Sequence, residues 1–340
     1  MKILVGMSGG VDSSFAVMKL LREGHTVEGV YLVMHEYAQP ELAEEAAKKL
    51  GIPLSVVDCR ESFDRVVRAS FVSEYKMGRT PNPCILCNPE VKFAALANEA
   101  RARGFDRIAT GHYARVVRVS EGKGAHSAIA VARDTAKDQS YMLYRLPREI
   151  LDMLLLPLGD EVKSDMRDYI KGSELSSLDR KDSQEICFLP DGDYADYIDK
   201  VAGKCPSGYF IDANGKRLGE HKGITRYTLG QRKGLGISLG ARAFVTEIDP
   251  IENTVRLECS PRMSSSLKLD GLHISSPGGA EDGEYYVKIR YAAPPVSCTV
   301  SFGRETADVL FAEPQRSVTP GQSAVLYRDG VVIGGGFICK

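Results

Sequence analysis

Two groups of residues in this chain have side chains suited to chemistry. The first is Ser8-Gly9-Gly10-Val11-Asp12-Ser13-Ser14, directly after the apolar run Lys2-Ile3-Leu4-Val5-Gly6-Met7. Where a glycine-rich turn opens a helix, unpaired backbone N–H groups and the positive end of the helix dipole converge on an anion such as phosphate. Gly9 and Gly10 let the main chain approach that anion, Ser8, Ser13 and Ser14 add hydroxyl donors, and the Asp12 carboxylate suits a Mg²⁺ carried on phosphates. The second group is Cys84 and Cys87, spaced Cys-x-x-Cys behind Thr80-Pro81-Asn82-Pro83, and Cys187 in Lys181-Asp182-Ser183-Gln184-Glu185-Ile186-Cys187-Phe188, 100 residues beyond Cys87. Thiolates are nucleophiles, and Cys187 would carry sulfur opposite the first pair; alone it reads as a small packed hydrophobe.

The surrounding elements position these groups. A short apolar run followed by helical periodicity in Ser14, Phe15, Met18 and Leu21 predicts a buried strand turning into a helix. The spacing differs from the kinase-type loop, which needs a Lys, and from G-x-G-x-x-G. It resembles the PP-loop of the ATP pyrophosphatases, which activate a carbonyl oxygen with AMP and release pyrophosphate. Strands are predicted over 27–34, 54–58 and 107–110, and helices over 41–50, 62–75 and 90–103. That βαβα order implies a parallel, Rossmann-like sheet covered on both faces, with ligands at its C-terminal edge beside the Ser8 loop and Gly111-His112-Tyr113. The two prolines predict a stiff loop carrying Cys84 and Cys87 just before the Glu90 helix, whose N-terminus would lower a thiol pKa.

From about 205 the pattern changes to short strands. Asn214-Gly215 and Asp329-Gly330, each between apolar runs, are two-residue hairpin signals, and Pro277-Gly278-Gly279 punctuates a central module from a closing β-barrel. The expected class is α/β: a parallel-sheet domain over 1–203, a small, mostly-β module over 204–272 and a C-terminal β-barrel over 273–340.

Composition narrows the classes. With 340 residues, 43% hydrophobic and 26% charged, the chain can bury full cores, and no apolar run approaches a membrane span, so a cytoplasmic protein is expected. Eight cysteines beside a nucleotide loop suit reactive thiols in a reducing compartment better than a disulfide framework. Zinc would need two further ligands, and neither a second Cys-x-x-Cys nor a close His pair is present. A thioredoxin-like redox pair would leave the ATP loop without a purpose. The net charge of −1 excludes bulk attraction to nucleic acid, but Lys216, Arg217, Lys222, Arg226, Arg232 and Lys233 face only Glu220. Such a run is either a solvated surface or a local patch for RNA.

Several segments together resemble the tRNA-specific 2-thiouridylase family: Gly6 to Ser13, Thr80 to Pro83 with Cys87-Asn88, Ala109 to Tyr113, Lys137 to Tyr141, Ile186 to Phe188, Thr228 to Gly236 and Pro320 to Ala324. They are collinear and run from end to end. The resemblance implies a PP-loop domain, a central domain and a β-barrel, with ATP and Mg²⁺ as cofactors. It assigns Gly6, Met7, Ser8, Gly9, Gly10, Val11, Asp12, Ser13, the Leu32 backbone and Gly111 to ATP, Cys87 as nucleophile and Cys187 as persulfide carrier. Asn82, Pro83 and Cys84 would face the target base, and His112, Lys137, Asp138, Gln139, Arg290, Tyr291 and Gln322 would contact tRNA. Implied partners are tRNA and a cysteine desulfurase or sulfur-relay protein, and the implied reaction ends in a Cys87–Cys187 disulfide.

Two features depart from that family. Many members carry Asp where Cys84 stands, a candidate acid/base group. Either Cys84 or a water takes over proton transfer, or Cys84 is inert, or Cys84, Cys87 and Cys187 ligate a [4Fe–4S] cluster; the residues leave these open. The stretch from Met34 to Glu41 also lacks the longer acidic insertion, which leaves contacts there undefined. Two other functions compete. NAD, GMP and argininosuccinate synthetases and tRNA lysidine synthetase share such a loop without needing thiols, and a non-catalytic tRNA-binding protein would need no intact loop.

Overall fold

The computed structural model describes residues 1–121, 124–171, 186–189, 193–237, 240, 242–275 and 279–339. Lys181 to Glu185 of the Cys187 segment and Pro277-Gly278 at the expected boundary lie outside them.

Lys2–Gly6 (β1) buries Ile3, Leu4 and Val5 completely, as a central parallel strand covered on both faces must. Val11–Arg22 (α1) follows, then Thr26–Val33 (β2), Pro40–Leu50 (α2) and Leu54–Asp58 (β3). Two long helices come next: α3 over 60–76 and α4 over 83–102, each interrupted by a π turn, at Asp64–Arg68 and Asn88–Lys92. Arg107–Thr110 (β4) returns to the sheet, and a hairpin follows, Arg115–Glu121 (β5) and Gly124–Ala130 (β6). After Arg148–Leu151 (α5), Leu154–Leu155 (β7) completes a parallel sheet of order β3-β2-β1-β4-β7, and Lys163–Lys171 (α6) packs beside it. Alternate residues of β1 face different layers. Ile3 and Val5 join Val17, Leu20, Ala46, Met166 and Ile170 under α1, α2 and α6; Leu4 joins Phe63, Phe71, Phe93 and Leu96 under α3 and α4.

The thiol segment departs from expectation. Cys84 and Cys87 do not precede a helix but lie inside its first turns. Pro83 occupies the first helical position, where its missing N–H costs nothing, and the Asn82 side chain accepts the Cys84 N–H at 3.2 Å. Pro89, in the helix interior, removes the next i→i−4 bond, and the chain adopts a π turn there.

Tyr194–Ala202 (α7) leads into the central sheet: Gly208–Ile211 (β8), Arg217–His221 (β9), Phe244–Asp249 (β10) and Thr254–Glu258 (β11), in the order β10-β11-β8-β9. The expected Asn214-Gly215 hairpin joins β8 to β9, with the Asp212 carboxylate accepting the Asn214 and Lys216 N–H groups at 2.9 Å.

The last unit is a closed six-stranded barrel: Met263–Ile274 (β12), Gly283–Lys288 (β13), Val296–Phe302 (β14), Ala307–Arg316 (β15), Ser323–Arg328 (β16) and Val331–Cys339 (β17), closed by β12–β17 pairing. The Asp329-Gly330 turn joins β16 to β17 with both residues at positive φ. Because β12 starts at Met263, the barrel takes in residues that a boundary at 273 leaves in the central module, and that boundary is corrected. The β5–β6 hairpin, not among the expected elements although the sequence carries Gly122 and Gly124 there, extends the barrel sheet through Ala130 and Val331. Tyr141, Tyr144, Val325, Tyr327 and Val332 form one core across the first domain and the barrel.

Candidate active site

The turn from β1 into α1 lies at the C-terminal edge of the sheet, beside the end of β4, where the strand order reverses. Gly9 has φ +76, and a Cβ there would lie 2.6 Å from the Leu42 carbonyl carbon. Gly111 packs as tightly from the other side, since its Cβ would lie 2.8 Å from the Ser13 nitrogen. The first bond within α1 runs from Ser14 N–H to Gly10 O, so the amides of Val11, Asp12 and Ser13 stand at the helix start with no acceptor inside the helix. Ser8 N–H donates to Ser13 Oγ at 3.2 Å, and the two hydroxyl oxygens are 3.3 Å apart. Neither Ser13 nor Ser14 adds a hydroxyl donor for a ligand: both are buried, and their hydroxyls donate to Gly10 O at 3.1 and 3.0 Å.

Asp12 accepts from Lys163 Nζ at 3.0 Å and from the Tyr113 hydroxyl at 3.2 Å. Lys163 opens α6, 151 residues away, and nothing in its polar surroundings distinguishes it in the sequence. The amides at the helix start, the Ser8 hydroxyl and a buried cation fit the triphosphate of ATP, with Asp12 the residue that would hold its Mg²⁺. Leu32 lies near the C-terminal end of β2, paired with Val57, two residues before Met34.

Cys84 and Cys87 are one turn apart on α4, the first exposed and the second buried with its Sγ 3.8 Å from Met34 Sδ. Cys187 is exposed, and its neighbour Phe188 anchors it by packing edge-on to Phe63, Phe71 and Tyr197 at 5.5, 5.3 and 5.4 Å. Cys87 interacts electrostatically with Cys84 and Cys187, and the Lys92 ammonium acts on all three. Lys92, five residues beyond Cys87 across the π turn, was missed in the sequence because regular helical spacing does not align those two positions.

The expected depression of the thiol pKa is overturned. Burial pushes Cys87 up to about 12, with Lys92 opposing it. Cys84 and Cys187, although exposed, are also raised by the desolvation that neighbouring groups impose, with Lys92 opposing it. His112 lies at the same wall, its Nδ1 2.8 Å from Thr110 Oγ1 and its ring 5.5 Å from that of Phe93. Burial lowers its pKa to about 3, with Lys92 adding to the shift, so the ring is neutral near pH 7. All eight cysteines are free thiols, so Cys87 and Cys187 are unpaired here. Among the described residues no three His, Cys, Asp or Glu side chains form a metal-binding group, so the thiols as placed do not fit the cluster alternative.

Three family models match in succession: a tRNA methyl transferase HUP domain over 1–191, a tRNA methyl transferase PRC-barrel domain over 195–257 and an aminomethyltransferase beta-barrel domain over 265–338. A Clostridioides difficile (strain 630) protein named tRNA-specific 2-thiouridylase MnmA is 40% identical over 356 residues, covering 100% of this chain and 98% of its own length. A Carboxydothermus hydrogenoformans protein of the same name is 41% identical over 358 residues, with 100% and 98% covered. The chain belongs to the tRNA-specific 2-thiouridylase family.

The positions that this 2-thiouridylase resemblance assigns to tRNA fall into two sets. Tyr291 is 38% exposed, with Lys288 Nζ 5.9 Å from its ring centre, and Lys137 is half-buried nearer the loop side. Asp138, Gln139, Arg290 and Gln322 make side-chain hydrogen bonds within the chain. Asp138 is buried and accepts from Ala132 N–H, Ser140 N–H and Ser140 Oγ at 3.0, 3.2 and 2.7 Å. Gln139 Oε1 accepts the Tyr113 N–H at 2.9 Å, Arg290 Nη2 donates to Ser317 O at 2.8 Å, and Gln322 Nε2 donates to Thr80 O at 2.7 Å. In the basic run of this 2-thiouridylase, Arg226 is paired with Asp196 and Asp199, whereas Lys216, Lys222, Arg232 and Lys233 are exposed.

Proposed function

We propose that this protein thiolates C2 of the wobble uridine of tRNA at the expense of ATP. One observation carries the reading: Gly111 packs on the phosphate loop at Ser13 while its neighbour His112 faces Phe93 and Lys92 on the thiol helix, which supports reading the nucleotide loop and the thiols as one site.

The C2 carbonyl of uracil is a poor electrophile with no leaving group. Attack of O2 on the α-phosphorus of ATP makes AMP the leaving group and expels pyrophosphate. The amides of Val11 to Ser13, the Ser8 hydroxyl and Lys163 are the groups that would meet the charge that develops there. Mg²⁺ held by Asp12 would neutralise phosphate charge. The terminal sulfur of a Cys187 persulfide then attacks C2, and the C2–O bond breaks as AMP leaves. Cys87 attacks Cys187 Sγ; the S–S bond breaks toward the sulfur on C2, releasing 2-thiouridine and leaving a Cys87–Cys187 disulfide. Two electrons from a dithiol reductant restore both thiols, and a cysteine desulfurase or relay protein reloads Cys187 in the cytoplasm.

Lys92 is the cation that favours each thiolate formed in this sequence. The raised Cys84 thiol is protonated at neutral pH, so it can donate a proton to the base but cannot replace a carboxylate as acceptor. The target base leaves its stack to reach Asn82, Pro83 and Cys84. Lys137, Tyr291 and the exposed lysines and arginines of 216–233 meet the rest of the tRNA.

The test is thiolation of a tRNA transcript with ATP and a persulfide donor, alongside pyrophosphate release. Wild type should form 2-thiouridine; Cys87→Ser and Cys187→Ser should lose it while tRNA-dependent pyrophosphate release persists. Thiol variants with full activity would indicate an amine-using pyrophosphatase, and no pyrophosphate release would indicate a non-catalytic binder. Methyl transfer, named in the family-model descriptions, needs neither thiol and is separated by the same variants.

A further inference from the structure

The segment that leads into the thiol helix has little to hold it. Between Arg79 and Cys84, Pro81 and Pro83 have no N–H, so the main chain has few donors with which to fix itself. Thr80 is where it is tied, and both of its backbone groups go to the barrel: Thr80 N–H donates to Pro320 O at 2.9 Å, and Thr80 O accepts from Gln322 Nε2 at 2.7 Å. Gly321, between those partners at φ +88, lies so close that a Cβ would come within 3.0 Å of the Thr80 nitrogen.

The barrel side of this contact is itself fixed. Gln322 is held in the barrel by Gln322 N–H to Thr319 O at 3.2 Å and Ile338 N–H to Gln322 O at 2.8 Å. Arg290 donates to Ser317 O and to Thr319 Oγ1 at the start of the same loop. Two residues past Thr80, the Asn82 side chain caps Cys84 N–H, and Asn82 O accepts the Ile85 N–H at 3.1 Å. A continuous set of bonds therefore runs from Arg290 through 317–322 and Thr80 to the first turn of α4.

We infer that Gln322 is a positioning residue for the thiols, and that it and Arg290 act through Thr80 on the orientation of Cys84 and Cys87. The proposal rests on the reading of Cys87 as the attacking thiol. One N–H of the Gln322 amide is spent on Thr80 O, so any other partner of this side chain must be met by its second N–H or its oxygen while the helix start stays anchored. The barrel thus serves the chemistry as well as the docking of substrate, because the geometry of a nucleophile has to be held to a fraction of an ångström.

The experiment compares wild type with Gln322→Ala and with the near-isosteric Gln322→Glu, which removes the donor and keeps the bulk. In both variants kcat for thiolation at saturating tRNA should fall about tenfold or more, beyond any change in tRNA affinity, as expected for displaced reacting groups. In protein free of tRNA and ATP, the iodoacetamide alkylation rate of Cys84, followed by mass spectrometry, should change severalfold with no matching loss of Tm. Weakened tRNA binding with kcat and Cys84 alkylation unchanged would overturn the inference and make Gln322 an RNA contact. Unchanged values in all three measurements would overturn it as well. Should wild type itself form no 2-thiouridine, the proposed function falls, and the alkylation comparison still decides whether Gln322 positions the thiols.

Discussion

Lys163 Nζ lies 3.0 Å from Asp12 Oδ2, and only 7% of the Lys163 side chain is exposed. The contact puts a buried cation beside the one carboxylate of the phosphate loop. Removing it leaves Asp12 uncompensated where phosphate charge must accumulate. Lys163→Met should lower tRNA-dependent pyrophosphate release by roughly 10²- to 10³-fold, the loss typical of removing one donor from an anion-stabilising site. Lys163→Arg should retain more. Normal release by Lys163→Met would make the pair a structural tie between α1 and α6.

Lys92 lowers the pKa of Cys84, Cys87 and Cys187 against the upward pull of burial. Lys92→Met keeps most of the volume and removes the charge, so all three thiols should become harder to ionise. Alkylation of Cys84 and Cys187 at pH 8.5 should slow by roughly three- to tenfold, since each unit of pKa is tenfold in thiolate. Thiolation should slow in parallel, while pyrophosphate release should not. Equal alkylation rates would remove Lys92 from the site.

Gly111→Ala tests the seam between the loop and the thiol wall. Its Cβ would meet main-chain atoms of Asp12 and Ser13 at 2.8 Å, and backbone cannot swing aside as a flexible side chain would. Overpacking of this kind costs about 1–3 kcal/mol, enough to lower Tm by several degrees. ATP binding, measured by calorimetry, should weaken more than stability alone explains. An alanine variant with wild-type Tm and ATP affinity would refute the close packing.

His112 sets an acid limit. The unfolded chain takes up a proton at this ring near pH 6.5, whereas the folded ring resists it until about 3. The stability due to the neutral ring is complete above 6.5 and is lost as pH falls toward 3. One proton contributes roughly 1.4 kcal/mol per pH unit within that window. His35, His221 and His273 are also lowered by burial and add to the slope. Urea denaturation from pH 7 to 5 should therefore show a shallower pH dependence in His112→Gln by about one proton. An unaltered slope would mean that the ring protonates freely in the fold.

Arg232 and Lys233 are exposed on the central module, unlike Arg226, which is spent on Asp196 and Asp199. Arg232→Glu with Lys233→Glu should weaken tRNA binding and flatten the plot of log K against log salt, by somewhat under one unit for each phosphate that the variant leaves unneutralised. A salt slope equal to wild type would assign the run to plain solvated surface.

Legibility followed locality. The phosphate loop was readable because strand, glycine turn and helix are consecutive, and the residue types that signal them lie between Lys2 and Arg22. The Asn214-Gly215 and Asp329-Gly330 hairpins were readable for the same reason. The thiol segment was misread where a local rule had two outcomes: Pro83 excludes a helix interior, but it also suits the first helical position, and the Asn82 cap selects the second. Hairpin β5–β6 was missed because what stabilises it is pairing with β17, two hundred residues further along the chain. The start of the barrel was misplaced because β12 closes on β17 and β15, and strand closure leaves no local mark.

By itself the sequence determined that a phosphate cradle opens the first helix, that Cys87 and Cys187 stand at family positions with Cys84 beside them where many members carry Asp, and that a parallel-sheet domain precedes two β-rich ones. Those features are written in residue types at short spacing, where backbone sterics and hydrogen-bond stoichiometry leave few solutions. Only the tertiary structure decided which charges face them. Lys163 reaches Asp12 across 151 residues, Lys92 meets Cys187 from another element, and Gln322 ties Thr80 across 242. A cation's effect on a carboxylate or a thiol depends on distance and burial, and both are set by how distant segments pack, not by their order along the chain.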